Sequence, residues 1–175
     1  AYQVDRPQGN FKNVTHENSE DKQIYVMVIG ESTTRRHLGI YGYPRETTPH
    51  FKRKQNELLI YSDVVSTSAT TIQSLKKALT LNNFKNPKQE STLIQLMNQA
   101  GFETHWISNQ KPVGIYDSFV TQMAKASDHY TFKNTTIYSS VTPYDEVLLP
   151  HYEDALESDA DKIFIAVHLL GTHAK

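Results

Sequence analysis

The sequence predicts an α/β fold, a mostly parallel sheet flanked by helices. Three observations carry that expectation. Two short continuous apolar runs, IYVMVIG (24–30) and KIFIAVHLLG (162–171), read as strands buried on both faces. Both stop at a glycine, and residues with chemical potential follow or flank each stop: Glu31 after the first, His168 and His173 around the second. Between the two runs, strand-like segments alternate with helix-spaced ones, the pattern of a parallel sheet built from crossovers.

At 175 residues the chain fits one domain with a real core, although its hydrophobic content is only 38%. A net charge of −1 provides no basic field, which excludes nucleic acid as an expected partner. The absence of cysteine excludes thiolate metal sites, thiol nucleophiles and disulfides, but leaves the compartment open. No apolar stretch is long enough to span a bilayer. The chain starts at Ala1 with no signal-peptide pattern, so it is expected to be an excised or processed piece, with any membrane segment outside it.

Taken in order, residues 1–22 are polar and rich in turn formers, a linker or surface lead-in. The first strand is expected over about 23–30, followed by a loop over 31–50 in which Pro44 and Pro49 block regular structure. ELLIYSDVVS (57–66) reads as a second strand. The Ser/Thr-rich loop STSATT (66–71) then feeds SLKKALTL, whose helical spacing puts Leu75, Ala78 and Leu79 on one face. Ser91 is the expected N-cap of TLIQLMNQA, and Gly101 its C′ residue. FETHWISN (102–109) is a strand, FVTQMAKAS (119–127) a helix and HYTF (129–132) a short strand. A helix is expected from Tyr144 to Leu156, kinked or broken by Pro150, and KIFIAVHLLG completes the sheet. A parallel strand needs cover on both faces, so an end at Lys175 predicts that the natural protein continues.

Ligands of open α/β sheets bind off the carboxyl ends of the strands. Glu31 belongs there, as a carboxylate for a metal or phosphate site; its bland alternative is a turn or capping residue. Thr70 or Thr71 stands at the start of a predicted helix, whose free N–H groups suit a phosphate, although capping is the ordinary task of such residues. A threonine hydroxyl becomes a nucleophile when a cation lowers its pKa. His168 reads as a core histidine if it lies within the strand, whereas His173, beyond Gly171, is freer to face the crevice. Asn109 ends another predicted strand, where a turn is its bland reading. The convergence of Glu31, Thr71, Asn109 and His173 past strand ends is stronger than any one of them.

The string VIGESTTRRHLGIYGYPRETTP resembles the opening signature of bacterial phosphoethanolamine transferases, enzymes of the alkaline phosphatase and sulfatase superfamily that decorate lipid A or the lipopolysaccharide core. SLKKALT with its preceding Thr, GFETHWISNQ and HLLGTH support the likeness, which covers about 23–175. It implies an alkaline phosphatase/sulfatase-like fold, with 23–175 the N-terminal part of a catalytic domain. It implies Zn2+ bound by Glu31 and Thr71, and Thr71 as nucleophile, the spacing Thr71 to Ser74 favouring it over Thr70. Asn109 would contact the phosphoethanolamine group, and His173, with His168 as the weaker partner, would bind the donor phosphate or an additional zinc. The reaction implied passes phosphoethanolamine from phosphatidylethanolamine, through a covalent Thr71 intermediate, to a lipopolysaccharide or periplasmic glycan acceptor. The setting implied is the periplasmic domain of an inner-membrane protein, anchored by segments outside this chain.

One departure stands out. The resemblance calls for a later Asp-His metal pair of the type SDHG, and none occurs; Asp128-His129 reads as a turn into a strand. The 175-residue piece alone is therefore expected to bind zinc weakly and not to turn over. A sulfatase needs a Cys or Ser followed by Pro and Arg at fixed spacing, which Ser68 and Ser74 lack. A threonine-dependent phosphoglycerol transferase, or a non-catalytic headgroup-binding domain, is the alternative.

Overall fold

The computed structural model describes residues 9–15, 21–82, 85, 91–112, 118–134 and 143–172. Four strands, β1 (Gln23–Ile29), β2 (Glu103–Ser108), β3 (His129–Phe132) and β4 (Lys162–His168), form one sheet in the order β1-β4-β2-β3. All three pairings are parallel. The α/β expectation and its mostly parallel sheet are met.

β4 is central, and its alternation sorts the core into two halves. Phe164 and Ala166 point to one face, where Trp106 of β2 meets Ile94, Val120, Met123 and Ala124. These last belong to α3 (Leu93–Gln99) and α4 (Phe119–Lys125). Ile163, Ile165 and Val167 point to the other face, against Ile107, Leu148 and Ala155. Ala155 lies in α5 (Leu149–Leu156), entered through a 3-10 turn at Asp145–Leu148. Pro150 sits in the first turn of α5, where its missing N–H costs nothing, so the expected break falls ahead of it.

Several expectations are corrected. β1 was expected to be buried on both faces, yet Ile24, Tyr25, Val26 and Val28 are exposed. Among the described residues it is an edge strand whose one ladder is with β4, so its apolar run meets cover on few sides. Residues 58–66 form no strand, and Leu59 and Val65 are each 81% exposed. Their β-branched composition matches a pleated surface, but among the described residues no neighbouring strand offers them a ladder. Pro49 does not block structure; it opens α1 (Pro49–Arg53), and two 3-10 turns, Arg35–His37 and Gly39–Tyr41, precede it. Thr47 and Thr48 hydroxyls accept the Gly39 and Ile40 N–H groups and fasten this segment to itself.

The helix α2 (Thr71–Ala78) begins three residues ahead of SLKKALTL. It buries Leu75 and half-buries Leu79, while Ala78 is exposed. The N-cap of α3 is Thr92, not Ser91: Thr92 and Gln95 form a reciprocal capping box. Ser91 lies outside, at φ 62°, with its hydroxyl accepting the Asn10 N–H at 2.7 Å. Gly101 follows α3 at φ 81°, as expected of a C′ glycine. Replacing Thr92 with Ala is expected to lower stability by about 1 kcal/mol, read as a lower denaturation midpoint at unchanged slope.

Candidate active site

Parallel register brings the strand ends to one level. Ile29 of β1 and Ser108 of β2 both pair with His168 of β4, so Glu31, Asn109 and the turn after His168 emerge at the same edge. Glu31 leaves β1 through Gly30 and is only 9% exposed. Its backbone carbonyl accepts from Thr33 Oγ1 at 3.0 Å and from Thr172 N at 3.3 Å, tying the β1 exit to the β4 exit. Gly171, at φ 58°, makes this possible: a Cβ there would lie 2.6 Å from the Glu31 carbonyl oxygen.

α2 delivers the partner of Glu31. Thr71 is its first residue, and Thr71 Oγ1 donates to Glu31 Oε2 at 2.6 Å. That length is typical of a hydroxyl donating to a charged oxygen. Ser32 Oγ donates to the other carboxylate oxygen at 3.0 Å, from a residue at φ 51°. Glu31, Ser32, Thr33, Ser66, Thr70 and Thr71 line a cleft of about 410 Å³. Thr70 occupies the N-cap position but makes no side-chain capping bond, so the contact to Glu31 falls to Thr71.

His168 is 1% exposed at the end of β4, with its ring edge-on to Trp106. The satisfied core ring expected of a strand histidine is not found: neither ring nitrogen has a hydrogen-bond partner among the described residues. Burial pushes its pKa down to about 4, against the opposing pull of Glu31 and Asp145. The imidazole is therefore neutral at pH 7, and it lines a second cleft of about 290 Å³ together with Thr70, Thr71, Gln110 and Lys111.

Asn109 is fully buried, and its amide donates to Pro143 O and Asp145 Oδ1, both at 3.0 Å. It lines neither cleft. His173 lies outside the described residues. The structure thus joins Glu31 to Thr71, sets His168 and Thr71 on the lining of one cleft, and buries Asn109 against Asp145 outside both clefts. The residue that sequence reasoning missed is Asp145. Its Oδ1 accepts Leu170 N at 2.7 Å and its Oδ2 accepts Gly171 N at 2.8 Å. Asp145 therefore holds the β4 turn that grips Glu31. The only signal was an acid at the start of a predicted helix.

Chemically, an alcohol whose proton rests on a carboxylate, at a helix N-terminus, is equipped to attack an electrophilic phosphorus. The same two oxygens are donors a divalent cation can share. They supply two of the four positions zinc takes, and among the described residues no cluster of three ligating side chains includes Glu31.

A parallel sheet flanked by helices, with a carboxylate and a hydroxyl paired at its carboxyl edge, is the architecture of an alkaline phosphatase/sulfatase-like domain. Residues 23–175 match the Sulfatase family, and the chain belongs to it. It is 37% identical to phosphoethanolamine transferase EptC of Escherichia coli strain K12 over 97% of its own length and 30% of that protein. It is 36% identical to phosphoethanolamine transferase CptA of Salmonella typhimurium, with the same coverage. The crystal structure of the C-terminal periplasmic domain of EptC from Escherichia coli, in complex with Zn, superposes with a TM-score of 0.85 at 36% identity, covering 97% of this chain and 48% of that one. The chain thus spans about 30% of the length of these curated relatives.

Two outcomes are expected. Replacing Gly171 with Ala forces a Cβ onto the Glu31 carbonyl and costs on the order of 2 kcal/mol, seen as a lower thermal midpoint. For His168, the unfolded imidazole titrates near its ordinary 6.5 and the folded one near 4. Between those values the unfolded chain binds more protons, so stability rises with pH across the window and is lost as pH falls through it. The full effect is roughly 3 kcal/mol. Denaturant titrations from pH 4 to 7 should show that slope in the parent and a flatter one in His168→Gln.

Proposed function

We propose that this chain is the N-terminal part of the catalytic domain of a phosphoethanolamine transferase. It moves phosphoethanolamine from phosphatidylethanolamine to a lipopolysaccharide acceptor, a lipid A phosphate or core sugar. The observation that carries the reading is the 2.6 Å bond from Thr71 Oγ1 to Glu31 Oε2 at the start of α2. Kinship with EptC and CptA at 36–37% identity supports it.

Thr71 Oγ1 attacks the donor phosphorus, and its proton passes toward Glu31 Oε2. The bond from phosphorus to the diacylglycerol oxygen breaks, and Glu31 hands that proton to the departing diacylglycerol oxygen. An acceptor hydroxyl, or the P–OH of a phosphate monoanion, then gives its proton to Glu31 as its oxygen attacks the phosphoethanolamine-threonine, and Glu31 returns the proton to the departing Thr71 oxygen. The N-terminal N–H groups of α2 hold the phosphoryl oxygens. His168, neutral, buried and on the lining of one cleft with Thr71, offers one ring nitrogen to the substrate, and His173 is assigned the same kind of contact. Asn109 contributes through Asp145, which sets the turn behind Glu31. Zinc, held by Glu31 and Thr71 with further donors outside the described residues, supplies a lowered hydroxyl pKa and charge neutralisation when bound.

No helix among the described residues is long and apolar enough to cross a membrane. The proposed setting is the periplasmic side of the inner membrane, with the anchor in segments outside this chain.

Incubating the full-length protein with phosphatidylethanolamine should add one phosphoethanolamine to Thr71, detected by intact and peptide mass. Thr71→Ala should abolish the adduct and transfer, and Thr71→Ser should keep a fraction of both. Glu31→Gln should slow adduct formation by about a hundredfold or more, on the scale of losing a positioned electrostatic partner. An adduct on Thr70, undiminished transfer by Thr71→Ala, or preference for phosphatidylglycerol as donor would refute the assignment.

A further inference from the structure

A second group of ligating side chains lies at the other end of the sheet. Glu103 and His105 are two apart on β2 and therefore share one face, the face that carries Ile107 toward α5. Parallel register sets His129, the first residue of β3, directly beside His105. The two imidazoles stack with centroids 4.7 Å apart and planes at 25°. His105 Nε2 lies 2.8 Å from Glu103 Oε1, and His129 Nε2 lies 3.7 Å from the same oxygen. One ligand atom from each of the three falls within 4.8 Å of the others.

We propose that Glu103, His105 and His129 form a binding site for a divalent transition metal of the zinc class, separate from the Glu31–Thr71 centre. Two imidazole nitrogens and one carboxylate oxygen are the donor set of zinc, copper or nickel, and not of magnesium or calcium. Bonds of about 2.0–2.2 Å place tetrahedral ligands about 3.3 Å apart. The three atoms close to that spacing through a small rotation of His129, whose side chain is 61% exposed. The other two ligands are held by the pleat of an internal strand, so most of the site is pre-organised.

The site opens on a cleft of about 210 Å³ that His151 and Asp154 of α5 also line, leaving room for water or a fourth ligand. Glu103 is the first residue of β2, while Ser108 at its far end is level with His168. At about 3.3 Å per residue, roughly 10 to 17 Å of strand separates the His105 and Glu103 positions from that level. A bound cation would staple β3, a four-residue edge strand, to β2.

The test uses the full-length protein, stripped with chelator and equilibrated with zinc alone or cobalt alone. Bound metal per chain, the cobalt d–d spectrum and the zinc-induced rise in thermal midpoint are compared for the parent, His129→Asn, His105→Asn and Glu31→Gln. His129→Asn is expected to bind one equivalent fewer, or to bind it at least tenfold more weakly, and to lose part of the midpoint rise. Glu31→Gln is expected to keep that equivalent and its nitrogen-ligand cobalt spectrum. Because His129 is exposed, its variant folds even if His105→Asn does not, and the result rests on it. Equal stoichiometry, affinity and cobalt spectrum in His129→Asn and the parent would overturn the site, as would loss of all bound metal in Glu31→Gln.

Discussion

The common level of three parallel strand ends is the constraint on which the rest depends. β1 and β2 share no hydrogen bonds, yet both are in register with β4, so Ile29, Ser108 and His168 terminate together. Glu31, Asn109 and the 169–172 turn leave the sheet within reach of one another for that reason alone. A slip of one residue in either pairing would turn side chains to the opposite face and separate them. The pairing is reinforced at its exit, where Asp145 caps the β4 turn and Thr172 donates to the Glu31 carbonyl. Glu31 is thus held by its backbone, leaving both carboxylate oxygens for Ser32 and Thr71.

The carboxyl edge stores polar groups at some cost in stability. Glu31, Asn109 and His168 are all buried, and Asn109 Oδ1 and both His168 nitrogens lack partners among the described residues. Buried polar atoms normally find hydrogen bonds, and unmatched ones cost free energy. His168 shares a cleft with Thr71, whereas Asn109 packs behind it against Asp145. The apolar faces of β4 and β2, sealed by α3 and α4 on one side and α5 on the other, supply the compensating burial.

The strands of the sheet use their two ends differently. The carboxyl ends bring Glu31 to the N-terminus of α2, where Thr71 meets it. The opposite half of the sheet groups Glu103, His105 and His129. Which helix termini and which strand residues reach each edge decides what gathers there. Neither set depends on the other for its geometry.

Local pattern determined a good deal. β2, β3, β4, α4 and the C′ glycine at 101 follow from apolar periodicity and turn chemistry, because those signals are short-range and the tertiary fold does not oppose them. The same holds for the position of Glu31 just past a strand and Thr71 at a helix start. Tertiary structure decided the rest. IYVMVI and LLIYSDVV have similar composition, yet one pairs with β4 and the other pairs with no strand among the described residues, since a strand exists only where a partner ladder is available. Distance across the sequence decided the site: Thr71 meets Glu31 forty residues away, and Asp145 reaches Leu170 and Gly171 twenty-five and twenty-six residues on. Spacing can nominate such residues, but only the register of a folded sheet brings one carboxylate and one hydroxyl within a hydrogen bond.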